Sequence, residues 1–578
     1  MIHLLPTAFI FGRSRSSGRS VVHHRVCWSA SPMLVSLFML LNLVAMPMKA
    51  YISEAFPWTS LAPMPSFASF SSFNATTLVD LQARYNSATL PKGAANFADG
   101  NNGAQVLRQL LPRGPSIPQA RCTSDFLVGK PGSIYYGSYT RDLLCAFAAA
   151  NDTTVHSDPW DRRGSCMTTS APGLVLGYHC IWLTAGDALH LSSPPPGVYT
   201  LTFAMAIAPY PHWYWTKFVY RVGTTVGIGL LLWRRYYKHC VALQRQLARL
   251  GHAHELRSGE YSYVISIGDP TAVVLTNPWV ALAFFVDVWA SFDTLSFAVL
   301  RGSQNEDAIE LLVAFLYLSR AVWLAYFGLS VMSAGLKHWR KEHVFGEVDP
   351  TLVAIAVTIY GPLLTYFMGN SAWLLQVYWY LEECMVPTSA HGHELVVLLP
   401  CLIYTLSLTM APLLFGLVKA IAVRWHDATE SDERYSSLRF TTAKTRAIVA
   451  IFRLCQPQVA VSVLKLGGTI YALFDAAPRY KANPTISYVG TDCFVYCYRN
   501  GELEMRLRLS LLEALDVHAS AKSERAAVDT REVSPFTMHE LVLPMGIQRP
   551  GERKIKVSPT PARSVRLRRP REPSVWCL

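Results

Sequence analysis

Six apolar blocks lie between residues 32 and 425, and the basic residues that separate them collect on alternate sides. Arg13, Arg15, Arg19 and Arg25 precede the first block, Arg234, Arg235, Lys238, Arg245, Arg249 and Arg257 follow the second, and Lys337, Arg340 and Lys341 follow the fourth. The connection over residues 371–394, between the fifth and sixth, holds no Lys or Arg. Short cationic loops stay on the cytoplasmic side, so this spacing orients a multispan chain. Hydrocarbon offers the backbone no hydrogen-bond partners, which makes helices the spanning element for blocks of this length. The expectation is an α-helical polytopic membrane protein with about six transmembrane helices. Both termini are expected to be cytoplasmic, and the chain integral to the plasma membrane or the secretory pathway.

A mean hydropathy of +0.22 suits such a chain, yet much of it lies outside the blocks. The pattern divides it into a basic cytoplasmic N-terminus (1–30), a signal anchor or first span (31–50) and an extracytoplasmic domain (51–211). A five-helix membrane region (212–425), a cytoplasmic domain (426–518) and a disordered basic tail (519–578) complete the division. Met48-Lys49-Ala50 lacks a small residue upstream of a cleavage site, which favours an uncleaved anchor. The net charge of +13 comes from cations beside spans or in the tail, at Arg553, Lys554, Lys556, Arg563, Arg566, Arg568, Arg569 and Arg571. Anionic lipid is the expected partner of that tail, and nucleic acid is not.

Cysteines divide by side. Cys122, Cys145, Cys166 and Cys180 fall in the extracytoplasmic stretch, where two disulfides can form in any of three pairings. Cys27, Cys240, Cys455, Cys493, Cys497 and Cys577 fall inside and are expected reduced, with Cys493 and Cys497 packing a core rather than binding metal. The sequons at Asn74 and Asn151 lie on the outer side, as glycosylation requires.

Within the membrane region, the second span (213–233) opens on Trp213, Tyr214, Trp215 and Tyr220, an interfacial aromatic belt. Lys217 and Arg221 are expected to snorkel outward from it, and Gly223 and Gly227 offer a small-residue face. Span three starts with Asn277 as cap and Pro278 in the first turn and runs to residue 300. Span four covers 309–336, span five begins at Asp349-Pro350 and reaches 369, and span six covers 395–423 with kinks at Pro400 and Pro412. Residues 446–474 are apolar but broken by Arg453, Pro457 and Lys465, the pattern of an interfacial segment.

The clearest soluble signal is strict alternation on both sides of Asn500-Gly501, the mark of a β-hairpin with a primed turn. Residues 261–267 have strand composition and are expected in the same small cytoplasmic α+β unit.

No phosphate-binding loop, nucleophile elbow or zinc-protease motif is present, so no enzyme, cofactor or metal is expected. His252, His254 and Glu255, and His391, His393 and Glu394, have alternate-residue spacing that seldom converges on one ion. Intramembrane charge is the stronger clue. Asp287 and Asp293 lie in span three and Arg320 near the centre of span four. A hairpin turning near Gln304 brings Asp287 level with Arg320, as an ion pair that either clasps two helices or lines an ion path.

Gly-Asp-Pro-Thr at 268–271, Tyr-Leu-Ser-Arg-Ala-Val-Trp at 317–323 and Val-Asp-Pro at 348–350 resemble uncharacterised multispan membrane proteins of oomycetes over residues 262–423. That group implies no activity. In layout alone the chain is similar to polycystin-like six-span channels, which have a disulfide-bearing domain between the first two spans and a pore between the last two. That likeness implies a re-entrant loop at 373–384 with Glu382 and Glu383 as a carboxylate ring, though no selectivity-filter sequence accompanies it. The function expected is sensing, adhesion or scaffolding toward an unknown extracellular ligand or ion, with a cation channel or transporter as the alternative.

Overall fold

Strand β1 (Arg25–Trp28) leads into helix α1 (Ala30–Val44), whose exposed face carries Leu34, Phe38 and Leu41. These belong to a computed structural model that describes residues 24–61, 63, 69–150, 160–171, 174–187, 189, 197–250, 260–303, 308–386, 393–426, 464–468, 470–471, 474, 478–516 and 575–577. A 3-10 turn, Met46–Ile52, leaves α1 at 63°.

Helix α2 (Phe70–Arg84) begins with a reciprocal capping box between Ser69 and Ser72. After it come β2 (Asn96–Asp99), β3 (Ala104–Pro112), α3 (Ser138–Ala149), β4 (Gly164–Ala171), β5 (Leu174–Ala185) and β6 (Val198–Ile207). Helix α4 (Pro211–Leu232) passes through a π-turn at Trp233–Tyr237 into α5 (Lys238–Leu250), linking this region to β7 (Tyr261–Ser266). A short α6 (Thr271–Leu275) precedes α7 (Pro278–Trp289), where Asn277 Oδ1 accepts from the Trp279 and Val280 amides as expected of a cap. Helix α8 (Phe292–Gly302) turns 74° away from α7. Helix α9 (Ala308–Leu318) and α10 (Val322–His338) meet at a 3-10 turn over Ser319–Ala321. Asp349 caps α11 (Pro350–Asn370), and α12 (Ala372–Glu383), β8 (Glu394–Val396) and α13 (Leu398–His426) follow. The last elements are β9 (Leu464–Gly467), β10 (Cys493–Arg499), β11 (Glu502–Leu511) and β12 (Trp576–Cys577).

Two six-stranded sheets stand at opposite ends of the helices. The first has the order β2-β3-β6-β5-β4-β8, antiparallel except where β8 joins β4 in parallel. Alternation gives it two buried faces. Val106, Cys180, Trp182 and Ala204 pack under Phe73 and Leu81 of α2, while Ile181, Leu183, Leu201 and Phe203 share a core with α8, α12 and α13. The second runs β1-β7-β10-β11-β12, with β9 also on β11. Tyr263, Ile265, Val495 and Leu507 pack there against Leu232, Tyr236 and Leu243 of the α4–α5 helix and against Trp323 of α10. The hairpin turn lies where alternation places it: Arg499 faces Glu502, and Asn500 and Gly501 take φ of 50° and 87°.

Several expectations need correction. Among the described residues three helices are long and apolar enough to cross a membrane, Ala308–His338, Pro350–Asn370 and Leu398–Ile421, or up to five if each of two bent pairs counts as one span. Helix α4 has the length without the apolarity. Span three is not continuous; it breaks between α7 and α8. Residues 394–396 form a strand of the first sheet rather than the start of span six. Within 446–474, residues 464–467 are a strand, not an interfacial helix. The tail region is not disordered to its end: Trp576, 1% exposed, is inserted beside Tyr236, and its Nε1 donates to the His239 carbonyl at 3.0 Å. The basic cluster at 553–571 lies outside the described residues.

Candidate functional site

The break between α7 and α8 faces a 3-10 turn inside Ala308–His338, and the backbone groups that the break leaves unpaired must be satisfied inside the protein. At the end of α7, Ser291 Oγ donates to the Asp287 carbonyl and Trp213 Nε1 donates to the Ala290 carbonyl. Opposite it, the 3-10 turn over Ser319–Ala321 tightens the helix running through α9 and α10 and carries Arg320. Side chains from the break and the turn converge with α4 and with the loop after the Met46–Ile52 turn, which supplies Glu54.

Glu54 is the hub. It accepts from Arg221 Nη1 and Nη2 at 2.7 and 2.8 Å, from Tyr317 Oη at 2.7 Å and from Arg320 Nη1 at 3.2 Å. Arg221 Nε donates to Asp287 Oδ1 at 2.7 Å, Arg221 Nη2 donates to Ser291 Oγ, and Arg320 Nη2 donates to Asp287 Oδ2. Lys217 Nζ lies 3.2 Å from Glu54 Oε2 and 3.5 Å from Asp293 Oδ2. Tyrosine rings back the cations: Tyr51 lies 4.9 Å from the Arg221 guanidinium and Tyr317 4.9 Å from that of Arg320. Three carboxylates oppose three cations, so the cluster is neutral in sum. That balance is what makes six ionisable groups tolerable at this depth, because each alone would carry a desolvation cost of several kcal/mol.

The structure joins Asp287, Asp293 and Arg320 in this one network, and Asp287 touches Arg320 directly. Lys217 and Arg221 do not snorkel outward. They are 4% and 0% exposed and turn inward, because paired carboxylates offer better solvation than a distant interface. Glu54 was not singled out by sequence, since it sits past the first apolar block. One signal was available: Lys217, Arg221 and Arg320 against Asp287 and Asp293 leaves one cation without an acid.

Glu382 and Glu383 do not share an open face. Residues 372–383 form a packed helix, Glu382 is fully buried, and Glu383 pairs with Arg141 of α3 at 2.6 Å. Cys122, Cys145, Cys166 and Cys180 form Cys122–Cys145 and the cross-strand Cys166–Cys180. Asn74 lies on α2 with its Oδ1 accepting from the Cys166 amide at 2.8 Å, while Asn151 lies outside the described residues. His393 stacks on Phe70 and Tyr139, and Glu394 accepts from Ser170. Among the described residues no three His, Cys, Asp or Glu side chains converge for a metal; His252, His254, Glu255 and His391 lie outside them. Gly223 and Gly227 face open space, with no neighbour that an added methyl would meet.

No protein family, curated protein or solved structure matches the chain, so the reading of function rests on its own geometry.

Proposed function

We propose that this is a non-enzymatic membrane protein of sensing or scaffold type, a rigid coupler between an extracytoplasmic sheet and a cytoplasmic one. The observation that carries the reading is that strands of both sheets are fused to helices of the bundle. β8 ends one residue before α13, and β1 ends one residue before α1, so neither sheet can shift without moving helices. Cysteine chemistry supports the orientation: both disulfides lie with the first sheet, while Cys27, Cys240, Cys493 and Cys497, buried with the second, are in no disulfide; Cys384 and Cys401, on α12–α13, are thiols too. Counting α4 as a span gives six. Its charges are withdrawn into the network, and its outward face presents Val219, Val226 and Leu230, 66%, 56% and 51% exposed. Anionic lipid at the basic tail and an extracellular ligand or ion at the first sheet are the partners this reading implies.

A cation channel or transporter is the second reading. It is favoured by the break between α7 and α8 at a charged cluster, since broken helices hold substrates in transporters. Reconstitution into liposomes separates the two. The coupler should give no cation or proton flux above empty vesicles, and an antibody fragment bound to residues 69–207 should alter amide exchange in residues 493–511. Sustained flux, or exchange indifferent to the bound fragment, would overturn the coupler.

A further inference from the structure

Among the described residues outside the ion network, Glu382 is a buried acid with no ion pair of its own. Glu382 is 0% exposed, and neither carboxyl oxygen has a hydrogen-bond partner. It sits in a seam between α12 and the first sheet unit. Across that seam Trp379 Nε1 donates to the Ser133 carbonyl at 2.8 Å, the Arg141 guanidinium lies 4.8 Å from the Trp379 ring, and Tyr135 Oη donates to the Ser296 carbonyl at 2.8 Å.

We propose that Glu382 is a proton-binding site: its carboxyl is protonated in the folded protein at neutral pH, and loss of that proton loosens the seam between α12 and the ectodomain.

The groups around it favour a proton over any other cation. From α12 come Tyr378 and Glu383, from the 133–135 turn Tyr135, from α3 Arg141, and from α13 Cys401 and Tyr404. Arg141 is the single cation of this set, and its Nη2 is taken by Glu383. The Tyr404 hydroxyl is engaged with Thr365 and that of Tyr135 with Ser296. A metal ion would meet Glu382 and a second carboxylate, Glu383, already engaged by Arg141, whereas a proton neutralises the acid without needing a shell. Burial is the main force holding the Glu382 carboxyl well above the usual carboxylate range; the charge of Glu383 adds to it and Arg141 opposes it. Ionisation would place a bare carboxylate among aromatic rings, and the nearest relief is Arg141, reached by pulling α12 away from Trp379 and Ser133.

Infrared titration of the purified protein in lipid tests this. The native spectrum at neutral pH should contain a protonated-carboxyl band that Glu382→Gln removes. Glu383→Gln, which releases Arg141 toward Glu382, should move the loss of that band to lower pH. Amide exchange over residues 133–136 and 372–383 should rise with pH in the native protein and stay level in Glu382→Gln. A native spectrum without the band, or a band retained in Glu382→Gln, overturns the proton site. A band displaced by sodium or potassium at constant pH overturns it in favour of a metal cation. Equal pH response of exchange in the two proteins overturns the loosening. If Glu382→Gln does not fold, the Glu383→Gln shift decides, and no shift counts against the site. None of these outcomes depends on whether the protein is a coupler or a transporter.

Discussion

Glu54 holds two arginines, a lysine and a tyrosine, so removing its charge leaves the cluster with one cation in excess. Breaking a buried pair from one side costs about 3–5 kcal/mol, far above the value of a surface bridge. Glu54→Gln should therefore lower the yield of folded protein in detergent and its melting temperature. Asp293→Asn should do less, since Asp293 reaches only Lys217, at 3.5 Å, and keeps 11% of its side chain exposed. Charge exchange between Asp287 and Arg320 is a sharper test. A simple pair would tolerate the swap, but here Asp287 also faces Arg221 at 2.7 Å. Asp287→Arg with Arg320→Asp would press two guanidinium groups together, so the double swap should fold worse than the neutral pair Asp287→Asn with Arg320→Gln. Rescue by the swap, read as recovered monodisperse protein, would contradict the network. Sequence exposed the level of Asp287 and Arg320 because hairpin arithmetic needs only helix rise. It did not expose Glu54, because a residue in a loop has no period to place it.

At the scale of elements, cues that act within a few residues were legible. Asn277 and Asp349 cap helices, and Asn500-Gly501 turns a hairpin, each by local hydrogen bonds or dihedral preference. What stayed hidden was long-range pairing: β8 on β4, β1 on β7 and β12 on β11 join residues far apart in sequence. The last case gives a prediction. The Leu512 amide donates to the Val575 carbonyl at 2.7 Å, and Trp576 fills a space between Tyr236 and β11. Truncating a buried tryptophan costs about 3–5 kcal/mol. Trp576→Ala should speed amide exchange in residues 502–511 and around Tyr236 while leaving the first sheet unchanged. Equal speeding in both sheets, or no change in either, would show that the segment adds nothing particular to the second.

Over the whole molecule, two buried groups at the first sheet titrate with opposite consequences. His179 is 2% exposed, with Nδ1 3.3 Å from Thr169 Oγ1 and its ring stacked on Phe203. Burial disfavours the imidazolium and lowers its pKa to about 4. An unfolded histidine takes up a proton near pH 6.5, so stability from this group is full above that value and is lost as pH falls toward 4, by about 3 kcal/mol in total. Glu382 acts in reverse. Its folded pKa lies above that of an unfolded carboxyl, so stability is full below the unfolded value and falls with rising pH until the buried group ionises. Between them the seam at the first sheet should be most stable over a window bounded by acid and by alkali. Thermal melting across pH measures it: His179→Gln should flatten the acid limb and leave the alkaline one, and Glu382→Gln should do the converse. Tyr135 lies beside both groups, its ring centroid 6.1 Å from that of His179, so the double variant should depart from the simple sum of the two changes. An acid limb that survives His179→Gln would show that His179 does not set it.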